Sequence, residues 1–360
     1  MKRIVICADG TWNIRDQRNK TTGRRRPTNV TKVARAVLAR SGNIDQIVVY
    51  RDGIGTGRGL DRWTGGAFGD GIEQNIRELY RSIAYNYVEG DELYLFGFSR
   101  GAFTVRSLIG FMNAAGLLAK RDDYWVPELY GCYEQGLRPG SDQWEKMMHG
   151  LQAEVQPCPN IRFVGVWDTV GALGAPGFLG QVFNRKKYAY HDVGLNVHVE
   201  RAYHALAIDE HRRPFAPSIW DRPLGWAGVL EQAWFAGAHS DVGGSETPDG
   251  LANQALHWLV ERATALGLGV DEQYLKFFTP CYDGELHDSM TAMYFAMVPI
   301  TRGIGEHDAA ERPHQSPLDR LADSNCNYKP KNLLDYLRRN PNPQAYVNEF
   351  PSRDPCNATR

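Results

Sequence analysis

The stretch "LYLFGFSRGAFTVRSL", residues 93–108, passes from an apolar run through Gly97-Phe98-Ser99-Arg100-Gly101 into a segment with helical spacing. An apolar run, then G-x-S-x-G, then a helix is the pattern of a strand, a sharp turn and a crossover helix. The glycines have a steric task. A serine held on a strained strand-to-helix turn needs neighbours two before and two after it that are almost free of side chain. Such a turn lifts the Ser99 hydroxyl out of a sheet edge. It also aims helix N-terminal N–H groups, beginning with that of Arg100, at a developing oxyanion. Ser99 is a candidate nucleophile, against the plainer reading of a tight βα turn.

The same rhythm extends outward. "RIVICADGTWN" at 3–13 is a short apolar run that delivers Asp9 to a strand end, and "VTKVARAVLA" repeats Val30, Val33, Ala34 and Val37 at helical spacing behind Thr28 or Asn29 as N-cap. "QIVVYRDG" at 46–53 reads as a second strand, ending in Asp52. A glycine-rich loop over 53–71 leads to a helix carrying Ile72, Ile76, Leu79, Tyr80, Ile83 and Tyr87 on one face. "IRFVGVWD" at 161–168 and "QAWFAGAHSD" at 232–241 continue as strands, while "VERAYHALAI" and "LANQALHWLVERATAL" read as helices. Alternating strands and helices predict a mainly parallel α/β sheet flanked by helices. We expect one catalytic domain over 1–340, with insertions at about 118–158 and 174–196 and an irregular Asn- and Pro-rich tail over 341–360.

Composition narrows the partners. The 360 residues carry 41 basic and 42 acidic side chains, so no global field argues for nucleic acid. Six cysteines, at 7, 132, 158, 281, 326 and 356, show no C-x-x-C pair, which disfavours a zinc cage or a disulfide framework and suits a reduced cytoplasmic site of synthesis. Lys2-Arg3 leads into too short an apolar run for a signal peptide, and the longest apolar stretch, 108–119, is too short to span a bilayer. No transmembrane segment is expected.

A nucleophilic serine needs a base and an orienting acid, which in α/β-hydrolases follow in the chain order Ser, Asp or Glu, His. Asp168 terminates the strand "IRFVGVW", and His239 follows the strand "AWFAGA" among small residues. His204, His211 and His257 fall in helices or polar turns, where a solvated or core-satisfied ring is the plainer reading.

"DGTWN", "PTNV", "YRDGIGT", "GFSRGAFTVRSL", "GVWDTVGALG" and "AGAHSDVGGS", taken together from residue 9 to about 245, resemble the α/β-hydrolase domain of unknown function 2235. That domain is the catalytic part of one group of type VI secretion phospholipase effectors. The resemblance implies an α/β-hydrolase-like fold with Ser99 as nucleophile, Asp168 as acid and His239 as base, in agreement with the spacing. It implies a phospholipid acyl ester as substrate, no cofactor or metal, export by a route that needs no signal peptide, and a cognate immunity protein. Peripheral contact with a membrane is compatible with it, although no membrane-docking domain is evident.

Asp9 remains double-edged. An aspartyl-phosphate phosphatase would need a second aspartate two residues earlier, where Cys7 stands. In the hydrolase reading, the early βα loop supplies the second oxyanion donor. Asp9 then braces Gly10 and Thr11, with the N–H of one of them facing the substrate carbonyl. Asp241 is a second acid, a metal ligand or a brace for the His239 loop, of which the brace is favoured. The glycine loop lacks the G-K-[ST] ending of a phosphate-binding loop. Arg18, Lys20, Arg24, Arg25 and Arg26 form a basic cluster that suits anionic head groups or plain solvation. The rival readings are a carboxylesterase or depolymerase acting on another ester, and a metal-dependent phosphohydrolase built on Asp9, Asp52, Asp168 and Asp241.

Overall fold

A computed structural model of the chain describes residues 1–11, 13–18, 23–55, 65–137, 139–171, 194–291, 294 and 297–348, with the backbone alone over 65–70. Nearly all of the sequence-predicted insertion at 174–196 and residues 56–64 of the glycine loop therefore lie outside the described residues, while 65–71, read as loop, open a helix.

Eight strands form one sheet. In chain order its members are β1 (Arg3–Ala8), β2 (Arg40–Ser41), β3 (Ile44–Arg51), β4 (Glu92–Phe98), β7 (Ile161–Trp167), β8 (Arg201–Ala207), β9 (Val229–Phe235) and β10 (Glu311–Pro313). They run in the order β10-β9-β8-β7-β4-β1-β3-β2, and every pairing is parallel except that of the edge strand β2. This is an α/β-hydrolase-like architecture. A separate two-stranded ribbon, β5 (Leu117–Leu118) with β6 (Val155–Gln156), closes the base of a lobe containing helices α4 (Val126–Glu134) and α5 (Asp142–Leu151).

Helices cover both faces, so the central strands read as apolar runs rather than alternating ones. Ile4, Ile6, Leu93 and Leu95 face α2 (Gly65–Asn86) and α3 (Arg100–Ala115). Val5, Cys7, Tyr94 and Phe96 face α1 (Asn29–Ala36) and the later helix Gly250–Ala265. Thr28 is the N-cap of α1, its side chain accepting from the Thr31 N–H. Nearly all of α3 is buried, so the helix behind Ser99 has no freedom to reorient.

Four local readings need correction. "VERAYHALAI" is not a helix: it contains β8, which pairs with β7 and β9. Burial on both faces erases the alternation of two that marks a half-exposed strand, and alanine-rich composition then imitates a helix. His204 accordingly lies on a strand. His239 is not in an open loop but opens a short helix, α6 (His239–Gly243), and α7 is Gly250–Ala265. The tail is not irregular throughout: Tyr346 pairs beside His314, accepting from the Gln315 N–H and donating to the Pro313 carbonyl. Finally, Cys7, Cys132, Cys158 and Cys326 are free thiols, but Cys281 is disulfide-bonded, which scattered spacing does not anticipate.

Candidate active site

Parallel strands deliver their ligating residues at their C-terminal ends. Here β1 ends before Asp9, β4 before Ser99, β7 before Asp168, and β9 four residues before His239. Ser99 has φ 57° and ψ −123°. For a residue with a Cβ such backbone costs on the order of 1–3 kcal/mol and persists only where the surroundings impose it. They do so on both sides. The Ser99 N–H donates to the Trp167 carbonyl at 3.0 Å, and the Ser99 carbonyl accepts from Phe103. A Cβ on Gly97 would stand 2.6 Å from the Ala102 Cα, and one on Gly101 would stand 2.2 Å from the Ala8 carbonyl oxygen. The two glycines permit close packing of the turn against α3 and against the end of β1.

His239 Nε2 lies 2.8 Å from Ser99 Oγ, and His239 Nδ1 lies 2.6 Å from Asp168 Oδ2. All three side chains are buried. The carboxylate assigns the ring proton to Nδ1, leaving Nε2 to accept from the serine hydroxyl. Burial pushes the imidazole below its ordinary pKa although Asp168 pulls it upward, so the ring is neutral and basic near pH 7. The Phe98 and Phe215 rings flank it at 4.6 Å and 4.9 Å.

Asp168 also occupies positive φ, at 38°. Its Oδ1 accepts from the Ala207 N–H at 3.1 Å and from Arg302 Nη1 at 2.7 Å, and its Oδ2 accepts from Arg302 Nη2 at 3.1 Å. Burial alone would raise this carboxyl. The Arg302 guanidinium and His239 outweigh it and hold the pKa well below the usual carboxylate range. Nothing near "TRGIG" in sequence marks Arg302, whose partner is 134 residues away.

The neighbouring carboxylates hold loops in place. Asp9 Oδ1 accepts from the Gly10 N–H at 2.7 Å, and its Oδ2 accepts from the hydroxyls of Thr28 at 2.8 Å, Thr31 at 3.0 Å and Tyr50 at 2.5 Å. Burial raises its pKa against the pull of these bonds. Because the Gly10 N–H is engaged, Thr11 is the remaining amide of the expected pair, and its buried hydroxyl has no partner among the described residues. Asp241 accepts from the Ala238 N–H at 3.0 Å and from both the N–H and the ring of His287, bracing the turn that carries His239. Asp209 does the same from the other side, accepting from the Gly237 N–H at 2.7 Å. Glu210, gripped by Arg212, accepts from the His239 N–H at 3.3 Å.

The segments that carry the family resemblance pack closely around the site. Asn29 ties α1 to the His239 helix and to α7 by donating to the Val242 and Ala252 carbonyls, both at 2.9 Å. A Cβ on Gly53 would stand 1.6 Å from the Gly10 carbonyl oxygen, and one on Gly243 would stand 1.9 Å from the Phe98 ring. Arg100 presents its N–H in the first turn of α3, and its buried side chain has its pKa pushed down to about 10 by burial.

Other candidates stay outside. Asp52 is partly exposed and faces Arg15 at 3.7 Å, so Asp9, Asp52, Asp168 and Asp241 do not come together. Among the described residues, no group of three or more His, Cys, Asp or Glu side chains is arranged to hold a metal ion. His204 Nε2 accepts from the Thr169 N–H, with the ring pushed down to about 3 by burial; the rings of His211 and His257 meet the Ile300 and Phe278 carbonyls. In the basic cluster, Arg18 turns back on the Gly23 carbonyl and Arg26 faces Glu246 at 3.9 Å, while Lys20 lies outside the described residues. Among the described residues, no helix is long and apolar enough to cross a membrane.

A parallel sheet with a strained serine turn at the end of its central strand defines an α/β-hydrolase-like protein. The model of the type VI secretion system phospholipase effector Tle1-like catalytic domain matches residues 2–262, and the chain belongs to this family. It is 26% identical over 238 residues to the uncharacterized protein YEL023C of Saccharomyces cerevisiae, a match covering 59% of this chain and 32% of that protein. A crystal structure of an uncharacterized protein from Pseudomonas aeruginosa is similar at TM-score 0.45 and 16% identity, covering 75% of this chain and 46% of that one. The structure of the Tle1 effector bound to the VgrG spike from the type VI secretion system is similar at TM-score 0.38 and 21% identity, covering 68% and 51%. The chain thus spans about a third to a half of the length of these relatives.

Proposed function

We propose that the chain is a serine ester hydrolase of the lipase type that cleaves phospholipid acyl esters through an acyl-enzyme. The observation that carries the chemistry is the continuous path from Ser99 Oγ through His239 to Asp168, built on a strained turn. The family supplies the substrate class. His239 Nε2 takes the hydroxyl proton as Ser99 Oγ attacks the ester carbonyl, and Asp168 stabilises the resulting imidazolium. The tetrahedral oxyanion is met by the N–H groups of Thr11 and Arg100. His239 then returns its proton to the leaving alkoxide oxygen, and water, deprotonated by the same imidazole, releases the fatty acid. No step calls for a metal or cofactor. Secretion through a type VI apparatus and a cognate immunity protein are the setting that the family suggests.

The test is mass spectrometry of products from mixed phospholipid vesicles, beside simple aryl esters, in the presence of EDTA. Free fatty acid and lysophospholipid are expected. Turnover of aryl esters alone would overturn the phospholipid assignment, and phosphate-ester cleavage abolished by EDTA would overturn the serine mechanism.

Asp9 offers a sharper check on the oxyanion loop. Asp9→Ala removes the acceptor of four donors and should lower ester kcat by up to the roughly 2.7–4 kcal/mol that one oxyanion donor contributes, with KM little changed. Its melting temperature should also fall, since buried donors left unsatisfied cost about 1–3 kcal/mol each. Asp9→Asn should be milder, because the amide oxygen can keep the Gly10 bond and two of the three hydroxyls can rotate to accept from its NH2. Unchanged kcat and melting in both variants would rule out the brace.

A further inference from the structure

The family match ends at residue 262, yet one of the groups holding Asp168 comes from beyond it. Arg302 is 3% exposed. Its Nη1 donates to Asp168 Oδ1 and to the Ala207 carbonyl at 2.9 Å, and its Nη2 donates to Asp168 Oδ2 and to the Phe215 carbonyl. We propose that Arg302 is a positioning residue of the Ser99–His239–Asp168 array, fixing the plane and charge of the carboxylate and the place of Phe215 behind the imidazole. This rests on the serine-hydrolase reading above.

His239 alone cannot orient Asp168. The bonds from Nδ1 and from the Ala207 N–H each engage a single oxygen, whereas a planar guanidinium engaging both oxygens sets the plane of the carboxylate. The same guanidinium is tied to the carbonyl of Ala207 at the end of β8 and to that of Phe215 beyond it, so the fork has a fixed base. Through the Phe215 carbonyl it also reaches the residue whose ring packs edge-on against His239.

The charge has a second consequence. Asp168 faces Arg302, the His239 ring and the Ala207 N–H, and it acts on the buried His204 ring, which Arg106 also influences. His239 faces Asp168, Ser99 and the mutually paired Glu210 and Arg212. Removing the Arg302 charge leaves the carboxylate unbalanced beside the imidazole and favours imidazolium. Because activity requires the neutral ring, the acidic limb of the pH profile must then move to higher pH.

A purely structural ion pair would give a different result. Its loss would lower the melting temperature of the protein but leave the titration of the base where it was.

The experiment measures kcat, KM and the pH dependence of kcat/KM for p-nitrophenyl butyrate on the full chain, comparing wild type, Arg302→Gln and Arg302→Lys. For Arg302→Gln we expect kcat at least about tenfold lower with KM nearly unchanged, and the acidic limb raised by about one pH unit. Arg302→Lys keeps the charge but not the fork, so its limb stays in place while kcat falls by an intermediate factor. A folded Arg302→Gln variant with wild-type kcat and an unmoved limb overturns the proposal. Should that variant not fold, Arg302→Lys decides: lowered kcat with an unmoved limb supports the role, and wild-type kcat overturns it. Wild-type turnover that survives Ser99→Ala would instead sink the serine-hydrolase reading, whatever Arg302 does.

Discussion

Ser99→Ala and His239→Ala each lower kcat for ester hydrolysis by at least about a thousandfold, and the double variant is no worse than either alone. The reason is geometric. At 2.8 Å from Ser99 Oγ, His239 Nε2 is the group that takes the hydroxyl proton in the proposed mechanism. Without the base, the serine stays a weakly nucleophilic alcohol, and without the serine the base has nothing to activate, so the two losses do not add. Residual turnover should reflect the oxyanion donors and substrate binding, and KM should stay close to wild type. The measurement is steady-state kinetics on an aryl ester together with the pre-steady-state burst. Additive losses would mean that the two residues act independently.

Asp168→Asn has the next largest effect, expected as a kcat loss on the order of a hundredfold or more accompanied by lower stability. Asp168 is surrounded by donors: the His239 Nδ1–H, two guanidinium N–H groups and the Ala207 N–H. An asparagine must turn its NH2 toward one of them. The buried Arg302 loses its counter-charge in either orientation, and breaking a buried pair typically costs about 3–5 kcal/mol; with the NH2 turned toward His239 the imidazole must also adopt the wrong tautomer. Asp209→Asn and Asp241→Asn should be milder catalytically, because each carboxylate braces a turn and neither touches the His239 ring. Near wild-type kcat in Asp168→Asn, alongside an inactive Asp209→Asn or Asp241→Asn, would show that the acid is misassigned.

Ser99, Asp168 and His239 were legible for one physical reason. Each follows an apolar run, and a parallel sheet brings the ends of such runs to one edge whatever their separation in the chain. Glycine at 97 and 101 was legible because the turn cannot be made with side chains there, and the contacts of 2.6 Å and 2.2 Å that a Cβ would suffer give the cause. The strand β8 was hidden because burial on both faces removes its periodicity and its alanines suit a helix equally well. Asp9 was legible as a carboxylate at a strand end, but its partners were not. Tyr50, Thr28 and Thr31 reach it from two other elements, and a hydroxyl in a sequence gives no sign of where it will donate. Arg302 was invisible for a similar reason, since a lone arginine beyond the last motif looks like any surface cation until the fold buries it against Asp168.

The central claim is that Ser99 is an activated nucleophile, and the most direct test is covalent labelling with a fluorophosphonate in the presence of EDTA, followed by peptide mapping. The predicted result is a single adduct on Ser99 that forms in step with the loss of esterase activity and is greatly slowed in His239→Ala. Ester turnover that persists in fully treated protein with Ser99 unmodified, or an adduct on another serine that tracks inactivation, would contradict it.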